Sequence, residues 1–327
     1  MSDFRSKMES AAVTHKDDVL GVRMCGKWQG KEYRHILPRE LWDLNLWEPI
    51  RASARIHFLE QGISWHEQRH NLLSSQIQCV NVFYPLRDAQ ELLGSFLVNY
   101  VPRLMRVGRM HFEYIGDKNY LKEPGGRGSM RTSADVAVEW FDAANSRNLL
   151  LLEYKFTERE FGRCGGATSR GNRDKSRCRR ASEIISAPGK MCYLVEPKGR
   201  PYWDIALAPD GPLNAGVLAS ESHCPFRYDF YQLMRNQFLA HQIESDPGSG
   251  FDSVTFGVVY HRDNEHLLRM GHPFGGERNP LTAWRSLLRE PKRFIWFTVQ
   301  ELLEAVDAKL PSRLAHWRAF LRARYEL

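Results

Sequence analysis

The sequence predicts an α/β or α+β fold, because segments with a strand pattern alternate with segments with a helix pattern. Strands are predicted where apolar residues alternate or run together, at residues 109–116, 134–142, 149–156 and 251–262. Helices are predicted where apolar residues recur every three or four positions, at residues 64–100, 226–244 and the C-terminal end. The chain has no internal repeat and no low-complexity tract, so this alternation alone indicates the fold class.

Between these elements lie segments whose composition indicates ends, caps and loops. Residues 1–20 are polar and predict a frayed N-terminus. Ser64 and Glu67 predict a capping box that starts the first helix of the core. Residues 120–133 predict a glycine-rich loop, and residues 191–196 predict a short strand.

The chain length of 327 residues suits about two domains or one elaborated domain. We expect residues 1–63 to form an N-terminal extension and residues 64–262 to form the core. An insertion rich in Arg and Cys is expected within the core, at about 157–225. Residues 263–327 are expected to pack on the core, and residues 294–306 predict a strand that runs directly into a helix.

Composition and charge restrict the class of function. Apolar residues make up 43% and charged residues 26% of the chain, as in ordinary globular proteins. The net charge of +7 permits a polyanionic partner such as nucleic acid without requiring one. No run approaches the roughly 20 apolar residues of a membrane span, and the N-terminus lacks the apolar core of a secretion signal. We therefore expect a cytoplasmic protein with no membrane partner.

Two neighbouring predicted strands carry the residues that indicate chemistry. Asp135 begins one strand, and Glu153 and Lys155 end the other. Side chains two apart on a strand share a face, and a short turn between the strands brings Asp135 close to Glu153. Two carboxylates with a backbone carbonyl between them suit Mg²⁺, and a neighbouring lysine can polarise water or neutralise phosphate charge. Phosphodiester hydrolysis requires this combination of groups.

The spacing of these residues resembles that of the PD-(D/E)XK nuclease superfamily. The motif is an Asp followed, after 17 intervening residues, by a Glu-x-Lys triplet: Ser133-Ala134-Asp135 and Glu153-Tyr154-Lys155. Ala134 stands where the family name has proline. The resemblance implies that Asp135, Glu153 and the Tyr154 carbonyl bind Mg²⁺ or Mn²⁺. It also implies that Lys155 is the catalytic lysine.

The resemblance covers roughly residues 65–260. It implies a restriction-endonuclease-like fold, in which helices flank a mixed central sheet, with an N-terminal extension and a C-terminal helix added. The implied activity is a metal-dependent endodeoxyribonuclease of the restriction or DNA-processing type. DNA is the implied partner, and a homodimer is implied where both strands are cut.

Other interpretations stay open at the level of sequence. Glu153 and Lys155 can be a surface ion pair, although charge that follows four leucines is costly unless it is paired or bound to metal. A domain of the same fold can bind nucleic acid without cleaving it, or can act on RNA. Glu113 and Glu139 on the predicted strands are either additional site residues or solvent-facing acids.

The helices before and after the strands offer further polar side chains. Members of the superfamily often place another acid or Gln on the helix before the first strand, and the candidates here are Glu67 and Gln76. Glu67 alternatively serves only in its capping box. On the later helix, Gln232, Arg235 and Asn236 fall on adjacent turns. Arg235 either contacts phosphate or carboxylates, or has a structural role.

Basic residues are concentrated just after the proposed centre. Residues 159–180 contain eight basic side chains and only two acidic ones. Contact with nucleic-acid phosphates is the functional interpretation, and a solvated basic loop is the alternative. The residues proposed to bind nucleic acid are Arg163, Arg170, Arg173, Lys175, Arg177, Arg179 and Arg180.

Four of the six cysteines fall in the same part of the chain: Cys164, Cys178, Cys192 and Cys224. Four thiolates can hold Zn²⁺ or an iron–sulfur cluster. Their spacings of 14, 14 and 32 residues contain no CxxC motif, so ordinary free thiols are the alternative in a reducing compartment.

Overall fold

The computed structural model describes residues 3–125 and 131–327. The predicted glycine-rich loop at 120–133 therefore lies partly outside the described residues. The strands are β1 (Gly26–Trp28), β2 (Lys31–Tyr33), β3 (Arg106–Tyr114), β4 (Ala134–Phe141), β5 (Arg147–Lys155), β6 (Ser253–Tyr260) and β7 (Phe294–Thr298).

Helices occupy much of the remaining chain, and the longest described one is α10. The helices are α1 (Phe4–Thr14), α2 (Arg51–Glu60), α3 (Ser75–Phe83), α4 (Gln90–Leu97), α5 (Gly165–Thr168), α6 (Ala181–Ser186), α7 (Pro188–Met191), α8 (Tyr202–Leu207), α9 (Ala215–Ala219), α10 (Tyr231–Glu244), α11 (Pro280–Leu287), α12 (Val299–Asp307) and α13 (Ala315–Tyr325). In the described ranges, no helix is both long and apolar enough to cross a membrane.

A mixed five-stranded sheet forms the centre of the fold, in the order β3-β4-β5-β6-β7. The strands β3, β4 and β5 pair antiparallel, whereas β5, β6 and β7 pair parallel. Parallel neighbours need a long crossover, and the crossover from β5 to β6 carries the Arg- and Cys-rich residues as well as α10. The mixed sheet with flanking helices confirms the predicted fold class.

The two faces of the sheet bury different residues, because successive side chains of a strand point to opposite faces. Val136 and Leu152 pack into the cluster that includes α3, α4, α12 and α13. Leu149 and Leu151 pack into the cluster that includes α8, α10 and α11. Continuing the alternation along β5 places Glu153 and Lys155 on the face that α10 covers. The unbroken apolar run of β5 thus reflects burial on both faces.

The first helix of the core begins later than its predicted start. It begins at Ser75, because Ser74 is the N-cap and its hydroxyl accepts a hydrogen bond from the backbone of the first turn. The chain before it bonds elsewhere: the His66 N–H donates to Gln76 Oε1 at 2.8 Å. The predicted helix start at Ser64, with its capping box, is therefore wrong.

The segment predicted as a strand at residues 191–196 also differs. The N–H groups of Val195 and Glu196 both donate to the Cys192 carbonyl, at 3.0 and 2.9 Å. These local bonds form turns and leave no strand ladder, so the predicted strand is wrong. Just after it, the chain forms α8, which is stabilised by the burial of Tyr202 and Trp203.

The N-terminus is helical rather than frayed from residue 4 onward. In α1, Phe4, Met8 and Ala12 form one buried stripe, and the Phe4 ring lies 6.2 Å from the ring of Phe156, just after β5. Burial of this stripe gives the polar-looking helix its tertiary support, because short helices are marginal in isolation.

Candidate active site

The pairing of β4 with β5 sets the geometry of the candidate site. Val136 pairs with Leu152, and continuing this antiparallel register by one position places Asp135 opposite Glu153. The Tyr154 backbone N–H donates to Asp135 Oδ2 at 2.7 Å. The fold therefore brings the two carboxylates together at one end of these strands.

Two amides from α10 hold the charged end of β5. Gln232 Nε2 donates to Glu153 Oε1 at 2.6 Å, and Asn236 Nδ2 donates to Glu153 Oε2 at 2.7 Å. Lys155 Nζ donates to Gln232 Oε1 at 2.7 Å and lies 2.9 Å from Glu153 Oε1. Gln232 thus bridges the carboxylate and the ammonium, so both charges are held in one orientation.

Burial and neighbouring charges affect the pKa of Lys155 and the pKa of Asp135 differently. Although burial lowers the pKa of Lys155, the charges of Glu153 and its acidic neighbours raise it to about 12. Burial, followed by the charges of Glu153 and Glu113, raises the pKa of Asp135 well above its usual range. The charge of Lys155 offsets only part of the repulsion between these carboxylates.

Glu113 supplies a third carboxylate at the end of β3. Its φ of +46° lies in the left-handed region, which residues other than glycine adopt rarely. Gln76 Nε2 donates to Glu113 Oε1 at 2.7 Å, and Ser133 Oγ donates to Glu113 Oε2 at 2.8 Å. The His66 imidazole lies 3.3 Å from the same carboxylate. Gln76 therefore reaches the site through Glu113.

These residues line a cleft of about 330 Å³. Its walls include His66, Glu113, Asp135, Glu153, Lys155 and Gln232. Glu67 is not among the lining residues, because it lies in the turn before α3, where it is exposed and 3.9 Å from Arg39. Of the two predicted helix contributors, the structure places only Gln76 beside the site.

Arg235 forms part of the cleft wall through a buried network. Its Nε donates to Glu123 Oε1 at 2.9 Å and to Thr132 Oγ1 at 2.7 Å. The Tyr202 hydroxyl donates to the same Glu123 carboxylate. The sequence gives no periodic signal for Glu123, because this residue lies in a loop without strand or helix periodicity. The sequence offers one signal for Glu123, which is its position in the predicted glycine-rich loop just before the strand that carries Asp135.

The comparison with known families gives the family of this chain. The sequence model described as Restriction Endonuclease associating with ARP matches residues 9–326. The chain belongs to this restriction endonuclease family. No curated protein and no solved structure matched the chain. Membership confirms the restriction-endonuclease-like character inferred from the motif and indicates a nuclease-type function.

In this member of the restriction endonuclease family, the Arg-rich segment starts beside the candidate site. The Gln232 N–H donates to the Phe161 carbonyl at 3.0 Å, and Asn264 Nδ2 donates to the Phe156 carbonyl at 2.9 Å. Beyond these anchors, Arg177 is half-buried. The other basic residues are exposed: Arg163, Arg170, Arg173, Lys175, Arg179 and Arg180.

The cysteines of the crossover are free thiols. Cys164 and Cys224 are buried, whereas Cys178 and Cys192 are half-buried. Across residues 3–125 and 131–327, no three acidic, imidazole or thiol side chains stand at the spacing needed to hold a metal ion. A site built from two carboxylates and a backbone carbonyl does not need such a triad.

Proposed function

We propose that this protein is an endodeoxyribonuclease that uses Mg²⁺ or Mn²⁺ to hydrolyse phosphodiester bonds of DNA, as a restriction or DNA-processing enzyme. One observation carries the proposal. Asp135 and Glu153 meet at the ends of two paired strands, with Lys155 beside them, in a chain of a restriction endonuclease family. Burying such charges together costs free energy, and a surface that only bound DNA would not require it.

The donor set fits a hard divalent cation. Mg²⁺ is commonly held by one or two carboxylates and keeps several waters, so Asp135, Glu153 and the Tyr154 carbonyl would hold it. The raised pKa of Asp135 results from burial and from nearby negative charge, and a cation would relieve the second of these. When bound, the ion would lower the pKa of water and offset charge on the phosphate.

The protein's own residues prepare the site for this cation and for the phosphate. Gln232 and Asn236 fix both oxygens of Glu153, so the carboxylate needs little reorganisation when a substrate arrives. Lys155, whose pKa is raised to about 12, keeps its proton at neutral pH and offers positive charge to the phosphate. Gln76 holds Glu113 beside this group.

The Arg-rich segment is the proposed phosphate-binding element of the enzyme. Its basic side chains are mostly exposed, and some are in local pairs such as Arg163 with Glu160, at 3.1 Å. Surface ion pairs contribute little free energy, so a guanidinium group can exchange its partner for a DNA phosphate. Two copies of the chain would supply the two centres needed to cut both strands, and a homodimer on DNA is therefore part of the proposal.

The proposal is tested by incubating the wild type with plasmid DNA, single-stranded DNA and RNA, with and without Mg²⁺ or Mn²⁺. We expect metal-dependent cleavage of DNA. Asp135→Ala and Lys155→Ala should each reduce the cleavage rate by at least about a hundredfold. Glu139→Gln is the matched control, because Glu139 is a buried carboxylate on the same face of β4 that instead pairs with His111 and Arg147.

Several outcomes would contradict the proposal. Cleavage that persists in both alanine variants would reject the assigned centre. Cleavage of RNA alone would identify a ribonuclease. DNA binding without cleavage, across both metals and all substrates, would favour a binding module of the same fold. Circular dichroism and thermal unfolding of each variant separate loss of chemistry from loss of folding.

A further inference from the structure

A second cavity, of about 530 Å³, adjoins the cleft of the candidate active site. Three residues line both spaces: His66, Ser75 and Glu158. The two spaces are therefore neighbours, and His66 also lies 3.3 Å from Glu113 at the cleft. A strand that crosses the cleft on this side enters the second space next. We call this space the flanking cavity, and its size is within the range of small-ligand sites.

The N-terminal extension supplies a tryptophan to the wall of the flanking cavity. Trp28 is the last residue of β1 and pairs with Lys31 across a two-residue turn. The turn residues Gln29 and Gly30 both have positive φ, at +48° and +79°, as a tight hairpin turn of the commonest kind requires. The tip of this hairpin places the half-buried Trp28 side chain at the cavity.

The hairpin is tied to the segment that precedes α3. His70 Nε2 lies 3.3 Å from the Lys27 carbonyl, and Ile36 and Asn71 pair in an isolated antiparallel β-bridge. These contacts join the element that carries Trp28 to the element that carries Asn71. Two residues of the cavity wall are thus held in a fixed relation by backbone contacts.

The Trp28 ring is available for stacking. In the described part of the chain, no aromatic ring and no cation covers it, whereas Trp42 is flanked by Trp65 and by the guanidinium groups of Arg55 and Arg69. An uncovered indole face at a cavity can stack on the π-face of a nucleobase, whichever base it is.

Asn71 offers a hydrogen-bond donor to the same cavity. Its side chain is only 9% exposed, and its Oδ1 accepts from the Leu73 N–H at 2.9 Å. This bond fixes the orientation of the amide, so Nδ2 is the atom left for other partners, and it has none among residues 3–125 and 131–327. Because Asn71 lines the cavity, Nδ2 is placed to donate to an acceptor on the edge of a base.

The charges on the wall favour a base over a phosphate. Glu67 and Glu158 contribute two carboxylates, whereas Arg5 contributes one guanidinium group, which is paired with Glu9 at 3.1 Å. Such a surface repels the negative charge of a phosphate. Nucleobases are uncharged, flat and polar at their edges, and proteins bind them through stacking and hydrogen bonds.

We propose that the flanking cavity binds one unpaired nucleobase of the substrate strand, next to the cleaved phosphate, with the base stacked on Trp28 and hydrogen-bonded to Asn71 Nδ2. This proposal rests on the proposed nuclease function of the neighbouring cleft. A base that is stacked on Trp28 has left the stack of its own duplex, so the substrate is unpaired at this position. The base comes from single-stranded DNA or is flipped out of a duplex.

The first test needs no variant of the protein. DNA oligonucleotides that carry the photoreactive base iodouracil, at each position in turn, are irradiated with the wild type in the presence of EDTA. Mass spectrometry should map a cross-link to Trp28. A cross-link from the single strand alone identifies single-stranded DNA as the source of the base, and a cross-link from the paired duplex as well identifies base flipping. Absence of a cross-link to Trp28 from either DNA would overturn the proposal.

The second test measures the affinity of variants for single-stranded DNA without metal. Trp28→Ala should weaken binding by about tenfold, whereas Trp28→Phe keeps an aromatic face and should stay within about threefold of the wild type. Asn71→Asp keeps the oxygen that accepts from Leu73 and loses the donor, and it should weaken binding by about fivefold. Tyr33→Ala is the matched control, because Tyr33 is a half-buried aromatic residue of the same hairpin that lines neither space.

The outcomes separate this proposal from that of the nuclease. Wild-type affinity in Trp28→Ala, or an equal loss in Trp28→Ala and Tyr33→Ala, would overturn the base site alone if the wild type cleaves DNA. A wild type that neither binds nor cleaves DNA would overturn both proposals. Circular dichroism shows which variants are folded, and the cross-link to the wild type decides the question for any variant that is not.

Discussion

The two regions that we propose to be functional are built in contrasting ways. The centre at Asp135, Glu153 and Lys155 stands on paired strands, and α10 holds Glu153 and Lys155 through hydrogen bonds of 2.6 to 2.7 Å. The Arg- and Cys-rich crossover consists of short helices and turns whose basic side chains are mostly exposed. The charged side chains of the first region are held by hydrogen bonds, whereas most basic side chains of the second are exposed to solvent.

Under the proposed function, this difference would separate the groups that catalyse cleavage from the groups that bind the DNA backbone. Groups that act on a scissile phosphate gain from fixed positions, because preorganised charge needs no rearrangement during the reaction. Groups that contact a DNA backbone position the protein without specifying sequence, and they tolerate mobility. The same crossover nevertheless delivers α10 to the centre, so the two regions are joined at Gln232, whose N–H bonds to Phe161.

The largest expected effect on DNA cleavage comes from removing the negative charge of Glu153. Glu153→Gln should reduce the rate of DNA cleavage by about a thousandfold, because the new amide presents a donor to the donors of Gln232 and Asn236 and loses its charge for metal binding. The measurement is single-turnover cleavage with saturating enzyme. DNA affinity without metal should stay within about threefold of the wild type. Normal cleavage by this variant would contradict the proposal that the centre on β4 and β5 catalyses the reaction.

A smaller effect is expected when the support from α10 is removed. Gln232→Leu should lower the cleavage rate by about ten- to a hundredfold and raise the Mg²⁺ concentration needed for half-maximal rate. The reason is that Gln232 bridges Glu153 and Lys155. Gln242→Leu is the control, since Gln242 lies on the same helix and is half-buried but does not line the cleft. Equal losses in both variants would indicate helix damage rather than lost positioning.

DNA binding by the Arg- and Cys-rich crossover should depend on the salt concentration and not on the cleavage reaction. Replacing Arg170, Arg173 and Arg179 with Ala should weaken DNA binding by about tenfold at low salt and reduce the slope of log affinity against log salt by up to about 2.7. The cleavage rate of bound DNA should change little. A triple variant at other exposed arginines is the charge-matched control: Arg269, Arg313 and Arg322. An unchanged salt slope would refute phosphate contact by this segment.

The smallest expected effect distinguishes the two carboxylates of β4, Glu139 and Asp135. Although burial opposes its ionisation, hydrogen bonds from His111 and Arg147 lower the pKa of Glu139 from 4.5 to about 2. The charged form therefore stabilises the fold fully above about pH 4.5, and this stabilisation is lost as the pH falls through about 2. Glu139→Gln should lower the free energy of unfolding by about 1 kcal/mol at pH 7, a value reduced for solvent screening.

Denaturant unfolding at neutral and acidic pH checks this expectation. The difference between wild type and Glu139→Gln should shrink as the pH falls from about 4.5 towards 2. A difference that stays constant over this range would show that lost packing, not lost charge, explains the variant. Activity should remain close to that of the wild type, in contrast to Asp135→Ala.

The sequence by itself determined the central strands, their alternation and the motif at their ends. Leu149 and its three following leucines predict a strand buried on both faces, and a charged end of such a strand requires partners. These signals are local, because the side-chain period of a strand and the cost of burying charge depend on a few adjacent residues. The helix at α10 was predicted for the same reason.

Only tertiary structure decided which distant residues reach the site. The helix begins at Ser75 rather than at the predicted Ser64, because the His66 backbone N–H donates to the Gln76 side chain. The periodicity of apolar residues does not encode this contact. Glu113 joins Asp135 through the strand pairing and an unusual backbone angle. Contacts of this kind depend on how whole elements pack, and their free energy comes from partners that no short stretch of sequence contains.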